Sequence, residues 1–225
     1  MHTVPGTKVS LLTKTSTLDC WSWSLPAGPR VCAGFNLEPG SVCKSCYAHQ
    51  GMYRFPVVEN AQEVRLRWWR KKKPERAPVM MRAIASATKK NPYFRVFDSG
   101  DFSGVEDIEA WRWICLKMPE VKFWFSTRAW RDRSLGVFLD RLSLLPNVVV
   151  RYSALEIDDK RQWVEQMVGR GWVLTSSVSS DEEDACPKQI SGSCTLGQCR
   201  ACWDKNVPHI TYHLHGHQVT WKKGK

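Results

Sequence analysis

The residues best suited to chemistry are cysteines, nine of them, unevenly spread. Cys32, Cys43 and Cys46 fall in one Gly- and Pro-containing stretch, VCAGFNLEPGSVCKSCYAHQG (Val31 to Gly51), and Cys186, Cys194, Cys199 and Cys202 form a second group far along the chain. Thiolates bind soft or borderline metals, and cysteines two residues apart can chelate because one turn of backbone brings both sulfurs to one ion or cluster. Cys43-x2-Cys46 and Cys199-x2-Cys202 both have that spacing. The four C-terminal cysteines suffice for a closed tetrahedral zinc site or a fully ligated 4Fe-4S cluster, and spacing does not choose between iron and zinc. The first loop offers three thiolates, which on a 4Fe-4S cluster leave one iron for a substrate or cofactor. The expectation is therefore one or two 4Fe-4S clusters, with zinc as the alternative, or one shared centre in which Cys43 and Cys46 are joined by C-terminal cysteines. Cys115 lies on an apolar helical face and reads as core. Cys20 stays unassigned. His49 is a candidate to close the first site, although a lone His is more often ordinary surface, and the tail histidines His209, His213, His215 and His217 read as a solvent-facing strand.

The elements that must position these groups follow from periodicity. Val57, Ala61, Val64 and Trp68 recur at helical spacing, giving a helix from about Pro56 to near Pro74 with Trp69 towards solvent, and a second helix spans Val79 to Lys90. Val9 to Leu12 is a candidate short strand; Leu18 to Trp23 alternates but is too short to assign. Tyr93 to Phe97 reads as a strand, and Ser103 with Glu106 as a capping box for a helix carrying Val105, Ile108, Trp111, Cys115 and Met118, stopped by Pro119. Strand Val121 to Thr127, a helix through Leu135 to Leu145, strand Val148 to Ser153, a helix capped by Asp158 or Asp159 through Met167, and strand Trp172 to Val178 complete the series. Strands alternating with helices imply an α/β fold with a mostly parallel sheet, open or curled into a partial (βα) barrel. Such folds build their sites at the carboxyl ends of the strands. Polar residues fall there: Asp98-Ser-Gly-Asp101, Ser126-Thr-Arg128, Arg151 with Ser153, and Thr175-Ser-Ser177. Asp101, Arg128, Arg151 and Ser153 are the expected catalytic or pocket-lining residues.

Composition narrows the classes. With 225 residues, 43% of them hydrophobic and twelve of them Trp, the chain can bury a sizeable core. It reads as one α/β domain over 1–225: a cysteine loop region at 1–55, βα repeats at 56–178 and a cysteine-rich extension at 179–225. No segment has the order of a signal peptide and no apolar run approaches about 18 residues, which places the protein in the cytoplasm and away from membranes. In a reducing compartment an odd set of clustered cysteines favours metal over disulfides. Net charge is +11, and residues 65–90 hold ten Lys or Arg against one acid, Glu75. That run suggests nucleic acid, bound through Arg65, Arg67, Arg70, Lys71, Lys72 and Lys73, although a single charge run is more often a solvated helix face. The alternative function is thus a non-catalytic nucleic-acid-binding protein in which the metal only holds the fold.

Several segments together, CKSCYAHQGMYRFP (Cys43 to Pro56), YFRVFDSGDF (Tyr93 to Phe102), VKFWFSTRAWR (Val121 to Arg131), PNVVVRYSAL (Pro146 to Leu155) and CRACWDK (Cys199 to Lys205), resemble the gene product 88 family of bacteriophage proteins, named from mycobacteriophages. The resemblance implies a phage origin, hence the host cytoplasm, and a cysteine-ligated cluster. More distantly, the Cys-x2-Cys-Tyr-Ala and Gly-Asp elements are similar to phage proteins that look like radical SAM enzymes. Those enzymes hold a three-thiolate 4Fe-4S cluster on the loop after the first strand of a partial barrel. By that analogy Ser99, Gly100 and Asp101 occupy the place of the turn that holds S-adenosylmethionine. The usual spacing is C-x3-C-x2-C, and the x10 gap between Cys32 and Cys43 departs from it, so spacing alone does not assign S-adenosylmethionine. The family carries no activity to transfer; the expected function is an iron-sulfur protein with a radical-SAM-like partial barrel, and the polar strand exits suggest that, as an enzyme, it would do redox or radical chemistry on a small molecule or nucleotide.

Overall fold

The computed structural model describes residues 2–15, 18–71, 73–169 (161 by its backbone only), 171, 174–181, 186, 194 and 199–214. At its centre is a seven-stranded sheet whose spatial order is the order of the chain. A short hairpin begins it, β1 (Thr13–Thr15) antiparallel to β2 (Cys20–Trp23). From β2 onward each neighbouring pair is parallel, through β3 (Tyr93–Val96), β4 (Lys122–Thr127), β5 (Val148–Ile157), β6 (Thr175–Ser179) and β7 (His209–His213). β1 and β7 each have one neighbour, so the sheet is open.

Among the described residues five α-helices lie in the crossovers from β2 to β6: α1 (Pro56–Lys71), α2 (Lys73–Ala87), α3 (Val105–Lys117), α4 (Gly136–Ser143) and α5 (Lys160–Val168). Successive side chains of a strand point to opposite faces. Phe123 and Phe125 of β4 and Val148, Val150 and Tyr152 of β5 therefore share one face, where they join Leu66, Met80, Trp111, Leu139 and Trp163 from the five helices in the main core. The intervening Trp124 and Val149 face the other way and pack with Trp203, Ile210, Cys186, Cys194 and Cys202 in a second, smaller cluster. With both faces covered, the strands read as near-continuous apolar runs. The five α-helices of the described residues lie over one face, and the opposite face carries the smaller cluster with its cysteines together with polar residues.

The α/β class and the mostly parallel sheet match the sequence reading, but several boundaries differ. Pro74 does not end a helix: it sits in the first turn of α2, where a missing N–H costs nothing. Trp69, expected towards solvent, is 1% exposed, because α1 packs on both sheet and α3; its indole N–H donates to Asp107 Oδ1 at 2.7 Å and the Arg76 guanidinium stacks over its ring at 4.5 Å. The expected Ser103–Glu106 capping box is absent. Extended Gly104 takes the cap position, and Asp107 accepts from the Ser103 N–H at 3.2 Å and from its hydroxyl, while Glu106 reaches out to Lys73. The candidate strand at Val9–Leu12 is displaced to Thr13–Thr15, and β5 runs four residues past the expected Ser153.

Candidate functional site

The segment between β2 and α1 carries Cys32, Cys43 and Cys46 and is tied to the carboxyl ends of three further strands. Beyond β3, the Leu25 N–H donates to Ser99 O at 3.0 Å and the Ala33 N–H to Phe102 O at 2.9 Å. Beyond β4, Arg131 Nη1 donates to Phe35 O at 2.8 Å. At the end of β5, the Ile157 N–H donates to Gly40 O at 3.0 Å, and Ser41 bridges to Glu156. Ser41 caps the short 3-10 turn Val42–Ser45 by accepting from the Cys43 N–H at 3.1 Å, which sets the approach of the Cys-x2-Cys pair. Glycine at 34 is required sterically: a Cβ there would stand 1.9 Å from the Arg128 carbonyl oxygen.

After the second cysteine of that pair, Tyr47 and Tyr53 lock the loop onto β3. The Tyr47 hydroxyl donates to the Asp98 carbonyl, the Tyr53 hydroxyl to Asp98 Oδ2 at 2.6 Å, and Arg95 Nη1 to Asp98 Oδ1 at 2.7 Å. The chain turns here through Phe97, which has φ 63, an uncommon conformation for a bulky residue. Its ring is held in the core, edge-on to Phe102 at 4.9 Å. Gly100, φ +80, has no room for a side chain, since a Cβ would meet that of Leu25 at 2.9 Å. The turn delivers Asp101, whose carboxylate accepts from the Phe102 N–H at 2.8 Å, the Thr127 hydroxyl at 2.6 Å and the Arg128 N–H at 2.8 Å. Burial raises its pKa above the ordinary carboxylate value, against those three donors.

These loops and the polar face of the sheet enclose a cavity of about 340 Å³. Cys32, Cys43 and Cys46 line it, and so do Cys186, Cys194 and Cys202, so six of the seven expected metal-binding cysteines meet in one space. Ser99, Gly100, Asp101, Arg128 and Ser153 line it as well. Burial lifts the Cys32 thiol well above the ordinary thiol value, reinforced by Asp101 and by Cys46 and Cys43; it lifts Cys46 too, with Arg128 pulling the other way. Cys202 is pushed up to about 11 by burial, opposed by the Tyr212 hydroxyl, whose oxygen is 3.5 Å from its sulfur, and by Arg151. All nine cysteines are free thiols. Among the described residues no group of three or more Cys, His, Asp or Glu side chains is drawn tightly enough to hold a single metal ion.

Arg151 is placed elsewhere. Because β5 is ten residues long, Arg151 is mid-strand rather than at an exit, fully buried, and outside the cavity lining. Its guanidinium donates to the carbonyls of Ala201 (2.7 Å), Val207 (2.9 Å), Asp204 (3.1 Å), Cys202 (3.3 Å) and Thr175 (3.5 Å). It clamps the segment that bears Cys202 against the sheet. Cys199 is half-buried and does not line the cavity; Cys20 packs in the smaller cluster on the cavity's side of the sheet but is not in its lining, and Cys115 is core, as expected. His49 Nε2 is 3.0 Å from Ala27 O and serves the loop. His209 lies between the Thr175 and Ser177 hydroxyls at 2.7 and 2.9 Å; His215 and His217 fall outside the described residues. Of the basic run, Arg65 is buried and donates to Ser10 O and Ser24 Oγ at 3.0 and 2.9 Å, Arg70 donates to Arg30 O, and Lys73 pairs with Glu106. Arg67, Arg70, Lys71 and Lys73 are exposed, and Lys72 lies outside the described residues.

Sequence reasoning missed Gly34, Tyr47, Tyr53, Arg95, Trp124 and Tyr212. For Arg95 a signal existed: a cation inside an otherwise apolar strand must be satisfied internally. Its terminal nitrogens are, by Asp98 and by the Tyr47 hydroxyl at 3.0 Å, and the guanidinium lies over the Trp124 ring at 4.8 Å.

A family model described as Gene product 88 matches residues 3–213. No curated protein and no solved structure is detectably similar to the chain. No helix of the described residues is long and apolar enough to cross a membrane.

Proposed function

The chain belongs to the gene product 88 family, and from that premise and the cavity's sulfur lining we propose that it is a phage iron-sulfur protein. In this reading it works as a redox or radical enzyme on a small molecule in the host cytoplasm. The carrying observation is the meeting of six cysteines, from segments more than 130 residues apart in sequence, in one enclosed space.

Three further observations support the reading. The cysteine loop follows β2, the first of six consecutive parallel strands, and the Asp98–Asp101 turn follows the second, which is the placement expected of a radical-SAM-like partial barrel. The donor set at the first site is all sulfur, which suits iron-sulfur chemistry. Two buried donors of the wall, Trp124 Nε1 and Arg95 Nε, have no acceptor among the described residues and fit an electron-rich occupant.

Cys32, Cys43 and Cys46 would hold the cluster that faces the substrate, and Cys186, Cys194 and Cys202 a second one or a shared centre. When bound, such a cluster supplies one-electron chemistry at the iron that carries no cysteine. The chain itself does the rest. Asp101 fixes the Arg128 backbone, the Tyr47 and Tyr53 hydroxyls hold the cysteine loop over the cavity, and the aromatic wall of Trp124 and Tyr212 excludes water. Whether the Ser99–Asp101 turn binds S-adenosylmethionine is part of the same proposal.

Protein purified without oxygen should be brown, with broad absorbance near roughly 400 nm, and should contain iron and sulfide. C43A/C46A should lose that band while remaining folded. A colourless protein carrying zinc would remove the reading. An S-adenosylmethionine cleavage assay on the reconstituted protein separates the radical branch from a purely redox one.

A further inference from the structure

We infer that Arg128 and the hydroxyl row Ser126–Ser153–Ser176 form an oxyanion subsite in the cavity, so that the substrate carries a phosphate or carboxylate group. Calling the ligand a substrate rests on the reading above; the subsite itself rests on geometry.

Ser126, Ser153 and Ser176 stand on the adjacent strands β4, β5 and β6, and all three line the cavity. Their oxygens are 2.8 Å apart between Ser126 and Ser153 and 2.9 Å between Ser153 and Ser176. A row of three hydroxyls has three protons and consumes two in its own bonds, which leaves one donor unspent. Beside the row, Arg128 is fixed at two points: its Nε donates to Ala154 O at 2.8 Å and its backbone N–H to Asp101 at 2.8 Å. Its two terminal nitrogens make no hydrogen bond or ion pair with the described residues, and it lines the cavity. The cavity's own carboxylates do not quench it by contact. Asp98 is engaged by Arg95 and Tyr53, and Asp101 by three neutral donors. A guanidinium with a free fork, next to a hydroxyl with a spare proton, matches an oxygen-rich anion. A register irregularity in β5 between Ser153 and Ile157 precedes the contact of the strand end with the cysteine loop, where Ser41 bridges to Glu156, and this pair and the sulfurs line the same cavity.

The test is calorimetric titration of the full chain with inorganic phosphate and, separately, with acetate, iron and sulfide being counted on the same sample. Saturable binding of either anion is expected, stronger for phosphate if the substrate is a phosphate ester and for acetate if it is a carboxylic acid. Arg128→Ala and Ser153→Ala should each weaken binding about tenfold or more. Arg128→Lys should recover part of the loss. Ser153→Ala removes one oxygen only and serves as the test if the arginine variants do not fold. Absence of saturable binding by the wild-type chain, or unchanged affinity in Ser153→Ala and Arg128→Ala, overturns the subsite. Anion binding by a protein free of iron keeps it and removes the cluster, and the reverse result keeps only the cluster.

Discussion

Replacing Arg151 with Met tests whether the C-terminal cysteine segment is held by one buried cation. The side chain donates to five carbonyl oxygens, three of them at 3.1 Å or less. A buried acceptor stripped of its donor costs about 1–3 kcal/mol, so the three short bonds alone represent about 3–9 kcal/mol. Burial pulls the guanidinium's pKa down, a sign that the cation itself is disfavoured there, and an apolar Met of similar reach recovers that penalty. The net loss should be about 3–5 kcal/mol, the range seen when one partner of a buried charged network is removed. In a chain of this length 1 kcal/mol moves Tm by about 2–4 °C, so R151M should melt roughly 6–20 °C below wild type by circular dichroism. Alkylation followed by mass spectrometry should show Cys202 labelled faster while Cys32 is little changed, because the clamp acts on 201–207 and not on the loop after β2. R151K, with fewer and less spread donors, should fall between. A Tm drop below about 2 °C, or equal gains in labelling at Cys202 and Cys32, would refute the clamp.

Three further outcomes follow from the same geometry. D101N turns one acceptor oxygen into an NH2 facing the Arg128 N–H or the Phe102 N–H and Thr127 hydroxyl, so it should cost about 1–3 kcal/mol in urea unfolding and weaken anion binding through displaced Arg128. G34A cannot be accommodated without moving the cysteine loop off β4, since the new methyl would lie 1.9 Å from Arg128 O; Cys32, Cys43 and Cys46 should react with a thiol reagent much faster than in wild type, and unchanged rates would show the loop is not seated there. Asp158 accepts from the Ser180 N–H and hydroxyl at 2.7 Å each and from the Ser179 hydroxyl at 3.0 Å, and the Ser180 N–H foremost holds its pKa below the usual aspartate value. A depressed folded-state pKa gives stability that is present above the unfolded value, about 3.9, and lost as pH falls through the folded one. D158N, which suits the positive φ of 63 at this position, should therefore flatten the acid limb of Tm against pH, and parallel curves would contradict the latch.

Sequence alone determined what local pattern encodes. Apolar periodicity of 3.6 and 2 gave α1, α3, α4 and most of β3, β4 and β5, and their alternation implied a parallel sheet with its site at the strand exits, because neighbouring residues decide both periods. The cysteine clusters, the Asp98–Asp101 turn, Arg128 and Ser153 were legible for the same reason. What needed the tertiary structure was every property set by partners distant in the chain. Arg151 looked like a pocket residue until β5 proved longer than its apolar run and the 201–207 carbonyls closed around it. Trp69 and Arg65 looked exposed until α1 was seen packed between sheet, N-terminal segment and α3. The meeting of Cys32, Cys43 and Cys46 with Cys186, Cys194 and Cys202 has no local signal at all. It arises because six parallel strands laid side by side in chain order carry both cysteine segments to the same polar face, and only the folded sheet contains that distance.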